Sequence, residues 1–369
     1  MEPTRTKLVR INTLRGSYRG KWQEMRSPPP IPSRRCYHSA SIHNNTLLIY
    51  GGQDFSEGVY NDLWQFTINS SNSSQEHWER IQTSGQVPGS LCRHSSITHD
   101  SKLYIFGGND GNSDNSFVYI LDLQSRVWRK LESDILPVDS YSSVVFSDKW
   151  VIFGGYVGGN MINEVFEFDL NSEKWTGLEC NGEKPSPRVD HTAVINENFM
   201  WVYGGKGSEE HLQDLWKLDL NNRNWEQVRY LGNGPGTVSG HSALAYGDVM
   251  LVFGGYRDIL KETNEMYTYD FLNNNWVLIQ NEMQVSDPVT LEEIQQFNKK
   301  MKKMENNESG KVVLYGGPPN QMQGRIKGKF PHSRDGHSAV LFEDMMIVFG
   351  GDRHQMAFND LYCYSVHEI

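Results

Sequence analysis

Five histidines stand at one recurring place in this chain: His38, His94, His191, His241 and His337, with Tyr141 at the sixth. Histidine in number suggests a metal centre. But a repeat position sets one residue on each unit, whereas a metal needs about four ligands within about 2 Å. These rings are therefore expected to hydrogen-bond neighbouring backbone. Arg35, Arg188 and Arg334 lie three residues before His38, His191 and His337, and the same recurrence gives them a structural role. Cys36, Cys92, Cys180 and Cys363 form no CxxC pair, which is neither a zinc signature nor a disulfide framework. No ExxxDxxxH, GxSxG or HExxH pattern occurs. The reading is that no residue is catalytic and no cofactor or metal is required.

The residues that escape this periodicity are more informative. Tyr156 and Tyr256 each directly follow a Gly-Gly pair, and Arg257 and Arg353 occupy matching places two residues after such pairs. Aromatic and arginine side chains are favoured at the centres of interfaces. A pair of guanidinium forks suits a carboxylate or phosphate. Tyr156, Tyr256, Arg257 and Arg353 are thus the candidate partner-binding residues, with an acidic segment as the expected partner.

What must position them is a repeated hairpin. "YHSASIHNNTLLIYGG", "RHSSITHDSKLYIFGG", "DHTAVINENFMWVYGG", "GHSALAYGDVMLVFGG" and "GHSAVLFEDMMIVFGG" share a polar start, alternating apolar residues, a tight turn and a Gly-Gly end. The Gly-Gly pairs begin at 51, 107, 154, 204, 254 and 350. An acid and an apolar pair follow ten or eleven residues later at Asp62, Glu164, Asp214, Glu265 and Asp360, while Phe117 replaces the acid in the second unit. Trp78, Trp128, Trp175, Trp225 and Trp276 close the units, and Trp22 precedes the first Gly-Gly by the usual 29 residues.

Four strand-like runs per roughly 50 residues, with Gly-Gly and Trp in register, resemble the kelch repeat. The resemblance covers nearly all of residues 20–369. It implies an all-β, six-bladed kelch-type β-propeller. The segment around Trp22 would complete the last blade, because a ring left open exposes strand edges. A basic leader at 1–19 stands before it. Residues 282–333 break the period and read as an insertion between blades five and six. In it, "SDPVTLEEIQQFNKKMKKMENNE" has helical spacing and capping. "KVVLYGG" at 311–317 imitates a strand, but Gly316 and Gly350 are too close for another unit. The "KKMKK" run reads as a solvated helix face.

In a propeller, the second-to-third and fourth-to-first connections share one face. Here they are long and varied, whereas the opposite turns are mostly short, so recognition is assigned to the first face. The net charge of −10 argues against nucleic-acid binding. No apolar run is long enough to insert in a membrane. The expectation is a non-enzymatic interaction module or scaffold, a monomeric propeller within a larger complex, in a reducing cytoplasmic setting. The resemblance implies cytoskeletal, ciliary or trafficking assemblies, or substrate recognition for a ubiquitin ligase. Nothing like a BTB domain precedes the repeats and no elongin-binding box follows, which weakens the ligase reading for this chain alone. The alternative is a kelch-type oxidase or isomerase with its site at the channel mouth.

Overall fold

Each repeat hairpin turns on residues that accept positive φ, among them Asn44, Ser147, Glu197, Gly247 and Glu343, with φ between 52° and 55°. Such values match the turn to the twist of the flanking strands. The third-to-fourth turns use another device. Asp122, Asp169, Asp219 and Asp270 each accept backbone N–H groups two and three residues on, at 2.7–3.1 Å. These Asx turns explain the "DLNSEK" and "DLNNRN" texts.

In the computed structural model, which describes residues 22–68, 76–257, 261–279 and 330–366, these hairpins form six antiparallel sheets. Blade 1 comprises Ser39–His43, Thr46–Tyr50, Leu63–Thr67 and Trp78–Arg80. Blade 2 runs Ser95–His99, Lys102–Phe106, Phe117–Asp122 and Val127–Glu132, with Ser84–Gly85 added in parallel at its outer edge. Blade 3 has Ser142–Phe146, Lys149–Val157, Asn160–Asp169 and Lys174–Leu178. Blade 4 has Thr192–Asn196, Phe199–Tyr203, Leu215–Asp219 and Asn224–Val228, and blade 5 has Ser242–Tyr246, Val249–Phe253, Met266–Asp270 and Asn275–Ile279. Blade 6 takes three strands from the C-terminal end, Ser338–Phe342, Met345–Phe349 and Leu361–Ser365, and the fourth, Trp22–Met25, from the N-terminal end.

The closing register runs from Trp22 opposite Tyr364 to Met25 opposite Leu361. The expected six-bladed ring and its closing strand are therefore found. The leader 1–19 and nearly all of the 282–333 insertion lie outside the described residues.

The core lies between blades. Each outer-strand Trp packs on the aromatic residue that precedes Gly-Gly in the preceding blade. Trp22 meets Phe253 at 4.9 Å, Trp78 Phe349 at 5.0 Å, Trp128 Tyr50 at 6.0 Å, Trp175 Phe106 at 4.6 Å, Trp225 Phe153 at 4.9 Å and Trp276 Tyr203 at 4.9 Å between ring centroids. The Gly-Gly pair must follow that aromatic because the backbone turns left-handed there, at φ 62° and 90° in the first copy. A Cβ on Gly51 would lie 2.3 Å from the Leu91 carbonyl of the next blade.

Three blades carry one further device. Arg35 forks onto Asp62 (2.7 and 3.1 Å), Arg188 onto Asp214 (2.7 and 2.8 Å) and Arg334 onto Asp360 (2.6 and 2.9 Å). Each guanidinium also donates to the first Gly carbonyl of its Gly-Gly pair at 2.8–3.1 Å and to a carbonyl two residues back at 2.9–3.0 Å. All three arginines are 0% exposed. The clamp ties the fourth-to-first loop to the second and third strands. Where the arginine is replaced, by Leu91, Val138 or Val238, the substitute is buried and apolar, and Phe117, Glu164 or Glu265 stands at the Asp position. No blade keeps the buried arginine without its Asp; blade 2 is apolar at both places, while blades 3 and 5 lose the arginine and keep a carboxylate as Glu164 and Glu265.

Two outcomes test this architecture. Trp22→Ala is expected to cost about 3–5 kcal/mol, and a chain starting at residue 28 to aggregate through its open edge. A monomer with unchanged melting temperature from that truncation would show that the ring closes otherwise. At the clamp, Asp214→Ala leaves a buried guanidinium unpaired and is expected to cost about 3–5 kcal/mol. Arg188→Leu/Asp214→Phe, which copies the blade 2 pair, should recover part of that loss in denaturant unfolding. A double variant no more stable than Asp214→Ala would deny that the two residues act as a unit.

Candidate functional site

The residue just before each repeat His or Tyr is Tyr37, Arg93, Ser140, Asp190, Gly240 or Gly336. All six are left-handed, with φ between 53° and 62°. That conformation turns each backbone N–H toward the neighbouring blade. Arg93 donates to the Tyr37 carbonyl (2.9 Å), Ser140 to Arg93 (3.0 Å), Asp190 to Ser140 (3.0 Å), Gly240 to Asp190 (2.8 Å), Gly336 to Gly240 (2.9 Å) and Tyr37 to Gly336 (2.7 Å). The last bond closes a circle of six around the channel mouth, a cavity of 150 Å³.

A second circle surrounds the first. The residue after each Gly-Gly pairs in both directions with the residue preceding a ring position. These pairs are Gln53 with Cys36, Asn109 with Cys92, Tyr156 with Asp139, Lys206 with Val189, Tyr256 with Ser239 and Asp352 with Asp335, at 2.8–3.1 Å. The long loops thus emerge beside the mouth, on the face expected from strand direction.

Four of the five repeat histidines hydrogen-bond the preceding blade from beneath the mouth, whereas His94 sets its ring edge-on to Tyr50 at 5.7 Å. His38 bonds the Ser338 hydroxyl at 2.8 Å, His337 that of Ser242 at 2.9 Å, and His241 that of Thr192 at 2.8 Å. His191 bonds the Phe153 carbonyl at 3.1 Å, and Tyr141 donates to the Phe106 carbonyl at 2.8 Å. Each contact reaches the preceding blade, so the His-Ser and His-Thr dipeptides are inter-blade stitches. Burial pushes all five rings below the usual histidine range, His94 and His241 to about 3.

The ring side chains make a polar constellation. The Arg93 guanidinium lies 3.9 Å over the Tyr37 ring and reaches Ser140 Oγ at 3.2 Å and Asp190 Oδ1 at 3.3 Å. Its side chain keeps 28% of its surface open. Tyr37 donates to Asp335 Oδ2 at 3.0 Å. Asp335 and Asp352 face each other, with Glu262 nearby paired to His354 Nδ1 at 3.2 Å. Burial raises both aspartates, helped at Asp335 by the Asp352 and Glu262 carboxylates and at Asp352, which reaches about 6, by Glu262.

Of the residues singled out from sequence, Tyr156 is exposed and lines a groove between blades 3 and 4. Tyr256 is half-buried, its ring 5.6 Å from that of His211. Arg257 bonds Glu265 at 2.5 Å and the Tyr267 hydroxyl at 3.2 Å. Arg353 is buried, at 7% exposure. The mouth residues Tyr37, Arg93, Ser140 and Asp190 escaped sequence reasoning. Their signal was available, as the residues that differ immediately before the constant histidine.

Sequence comparison agrees with this geometry. The family described as the KLHDC2/KLHL20/DRC7 Kelch-repeats domain matches residues 3–139 and 140–297. This chain belongs to that kelch-repeat family. Human leucine-zipper-like transcriptional regulator 1 is 25% identical over 117 residues, 32% of this chain and 14% of that protein. Human Kelch domain-containing protein 3 is 31% identical over 102 residues, 27% of this chain and 25% of that protein. Tip elongation aberrant protein 1 of Schizosaccharomyces pombe is 33% identical over 90 residues, 24% of this chain and 8% of that protein. The matched part thus spans a quarter or less of each relative's length. Among the described residues of this kelch propeller, no helix is long and apolar enough to cross a membrane.

The buried histidines give the propeller a pH signature. Their folded pKa values lie below the unfolded value, so their contribution is present above about pH 6.5 and is lost as pH falls toward the folded values. Asp335 and Asp352 have raised values and oppose this, Asp352 adding stability as pH falls from about 6 toward the ordinary carboxylate range. Five histidines outweigh two aspartates, and each net proton is worth about 1.4 kcal/mol per pH unit. The melting temperature is expected to fall steadily between pH 7 and pH 5. A flat or rising profile in calorimetry would show that the rings titrate normally.

Proposed function

We propose that this kelch propeller is a non-enzymatic protein-interaction module that receives a partner segment on its loop-rich face and reads it at the channel mouth. One observation carries the reading. Six positions with the same backbone conformation and the same ring hydrogen bond carry Tyr, Arg, Ser, Asp, Gly and Gly. The skeleton repeats while the chemistry at its centre does not. Glycine would occupy a left-handed position without strain, whereas a side chain there costs roughly 1–2 kcal/mol. Four blades keep a side chain at this station, as the hairpin turns do at Asn44, Ser147, Glu197 and Glu343, so what sets the mouth apart is that its side chains differ from blade to blade. The second circle varies in the same way, with Gln53, Asn109, Tyr156, Lys206, Tyr256 and Asp352.

In this proposal Tyr156 and Tyr256 flank the mouth on blades 3 and 5. Arg257 meets an acidic part of the partner by exchanging Glu265, and Arg353 supports the rim from inside. The repeat histidines, engaged in stitching blades, are not assigned to oxidase or isomerase chemistry. A kelch relative named for aberrant tip elongation supports a cytoskeletal or growth-zone assembly as the setting. Substrate recognition within a ubiquitin ligase is a narrower role for the same face.

The experiment is affinity capture from lysate with the intact chain, Arg93→Ala, and Lys174→Glu at the exposed start of blade 3's fourth strand on the opposite face. Arg93→Ala should fold normally and lose captured partners at least about tenfold, while Lys174→Glu retains them. The reverse pattern would move docking to the other face.

A further inference from the structure

In blade 3 the second and third strands run on past Gly-Gly as continuous strands, where blades 1 and 6 carry separate two-residue arms, Gln53–Asp54 with Gly58–Val59 and Asp352–Arg353 with Met356–Ala357. Lys149–Val157 and Asn160–Asp169 remain paired to Val157 opposite Asn160, and Gly158 and Gly159 form the tip with φ of 54° and 88°. This rigid hairpin rises from the loop-rich face. Beside it stands the blade 4 loop, held by a Lys206–His211 bridge and by the Gly207 N–H on the Glu210 carbonyl at 2.9 Å. His211 leans on Tyr256, which fixes that loop from behind. The floor is Ser186 and Pro187, and the Ser186 carbonyl and hydroxyl both accept from the clamp arginine Arg188, at 3.0 and 3.2 Å.

The groove between these walls measures 590 Å³, within the roughly 300–1,000 Å³ of preformed recognition pockets. Its lining is two-sided in character. Tyr156, Met161, Pro187 and Leu212 offer apolar and aromatic surface, and Tyr156 is 38% exposed. Glu209 and Glu210, both exposed, are the only charged residues in that lining. An occupant must therefore bring positive charge and an apolar group together. A guanidinium meets both demands, since its flat face stacks on an aromatic ring and its edge forks onto carboxylates. Lysine offers the charge without the plane.

We propose that this groove seats an extended segment of a protein partner through one arginine beside an apolar residue. The inference rests on the reading of this face as the docking face. In it, arginine stacks on Tyr156 and pairs with Glu209 and Glu210, and the apolar neighbour covers Met161, Pro187 and Leu212.

The test is to pan a phage-displayed library of random linear peptides on the intact chain. Selected peptides are then synthesised with arginine, lysine or glutamine at the enriched position and titrated by fluorescence anisotropy. Enrichment of arginine next to an apolar residue is expected. Affinity should fall at least about tenfold on Tyr156→Ala and on Glu209→Lys/Glu210→Lys, and less for the lysine peptide than for the glutamine peptide. All three positions are exposed, so melting temperatures should hold, and binding lost together with folding is read from a Tyr156→Phe control that keeps the ring. Selected peptides that ignore these variants but need Arg93 would overturn the groove assignment and leave the docking face standing. Peptides that need Lys174 on the opposite face would overturn both. Acidic peptides at the groove, or no enrichment, would overturn the arginine proposal.

Discussion

A backbone N–H at the head of every inner strand is donated to the same position of the preceding blade, and the sixth donation returns to the first. This closed circle fixes the spacing and rotation of the blades at the axis. It requires a left-handed residue at each station, because only that conformation presents N–H and C=O sideways along the ring. The conformation in turn decides where side chains leave the backbone, so the mouth chemistry is set by the closure. The outer rim has its own closure in Trp22–Met25 beside Leu361–Ser365. Between the two, the tryptophan contacts and histidine stitches carry each blade onto the one before it.

Those contacts also account for the constancy of the repeat. Tryptophan faces the pre-glycine aromatic, histidine faces a hydroxyl or carbonyl, and the left-handed glycines allow the next loop to pass within contact. Buried polar groups placed this way stabilise only while every partner is present. The Arg–Asp clamp shows the same logic most clearly. Blades 1, 4 and 6 keep both members, and blades 2, 3 and 5 place Leu91, Val138 or Val238 where the guanidinium would be. A lone buried arginine costs more than an apolar replacement, so the guanidinium is found only where its Asp is present.

Function then falls to residues that the skeleton does not use. The loop-rich face carries two concentric sets of varied side chains on invariant hydrogen bonds, and the opposite face carries short Asx and two-residue turns. A rigid frame with divergent groups at its centre suits partner recognition, since little ordering entropy is spent on binding. The arginine clamp in blade 4 serves both ends, holding the loop to the sheet and holding the groove floor through Ser186.

Much of this was legible in the sequence. Strand alternation and turn residues are local properties, and repetition multiplied their signal, so the number of units and the last unit's missing strand followed from spacing, and the two faces from the propeller that the kelch resemblance implies. Trp22 could be placed because its 29-residue interval matched the others. The structural use of the histidines followed from the geometry of a ring. Other features depend on which blades become neighbours. Tyr37 meets Asp335 at 3.0 Å across 298 residues of sequence. Arg257 finds Glu265, and Arg353 is buried, although their matched positions suggested two free forks. The mouth residues were visible as letters, but their common φ and their meeting at one axis come only from closure. Periodicity determined the frame because every copy repeats the same local physics, and the tertiary structure decided the site because recognition depends on what differs between copies once the ring brings them together.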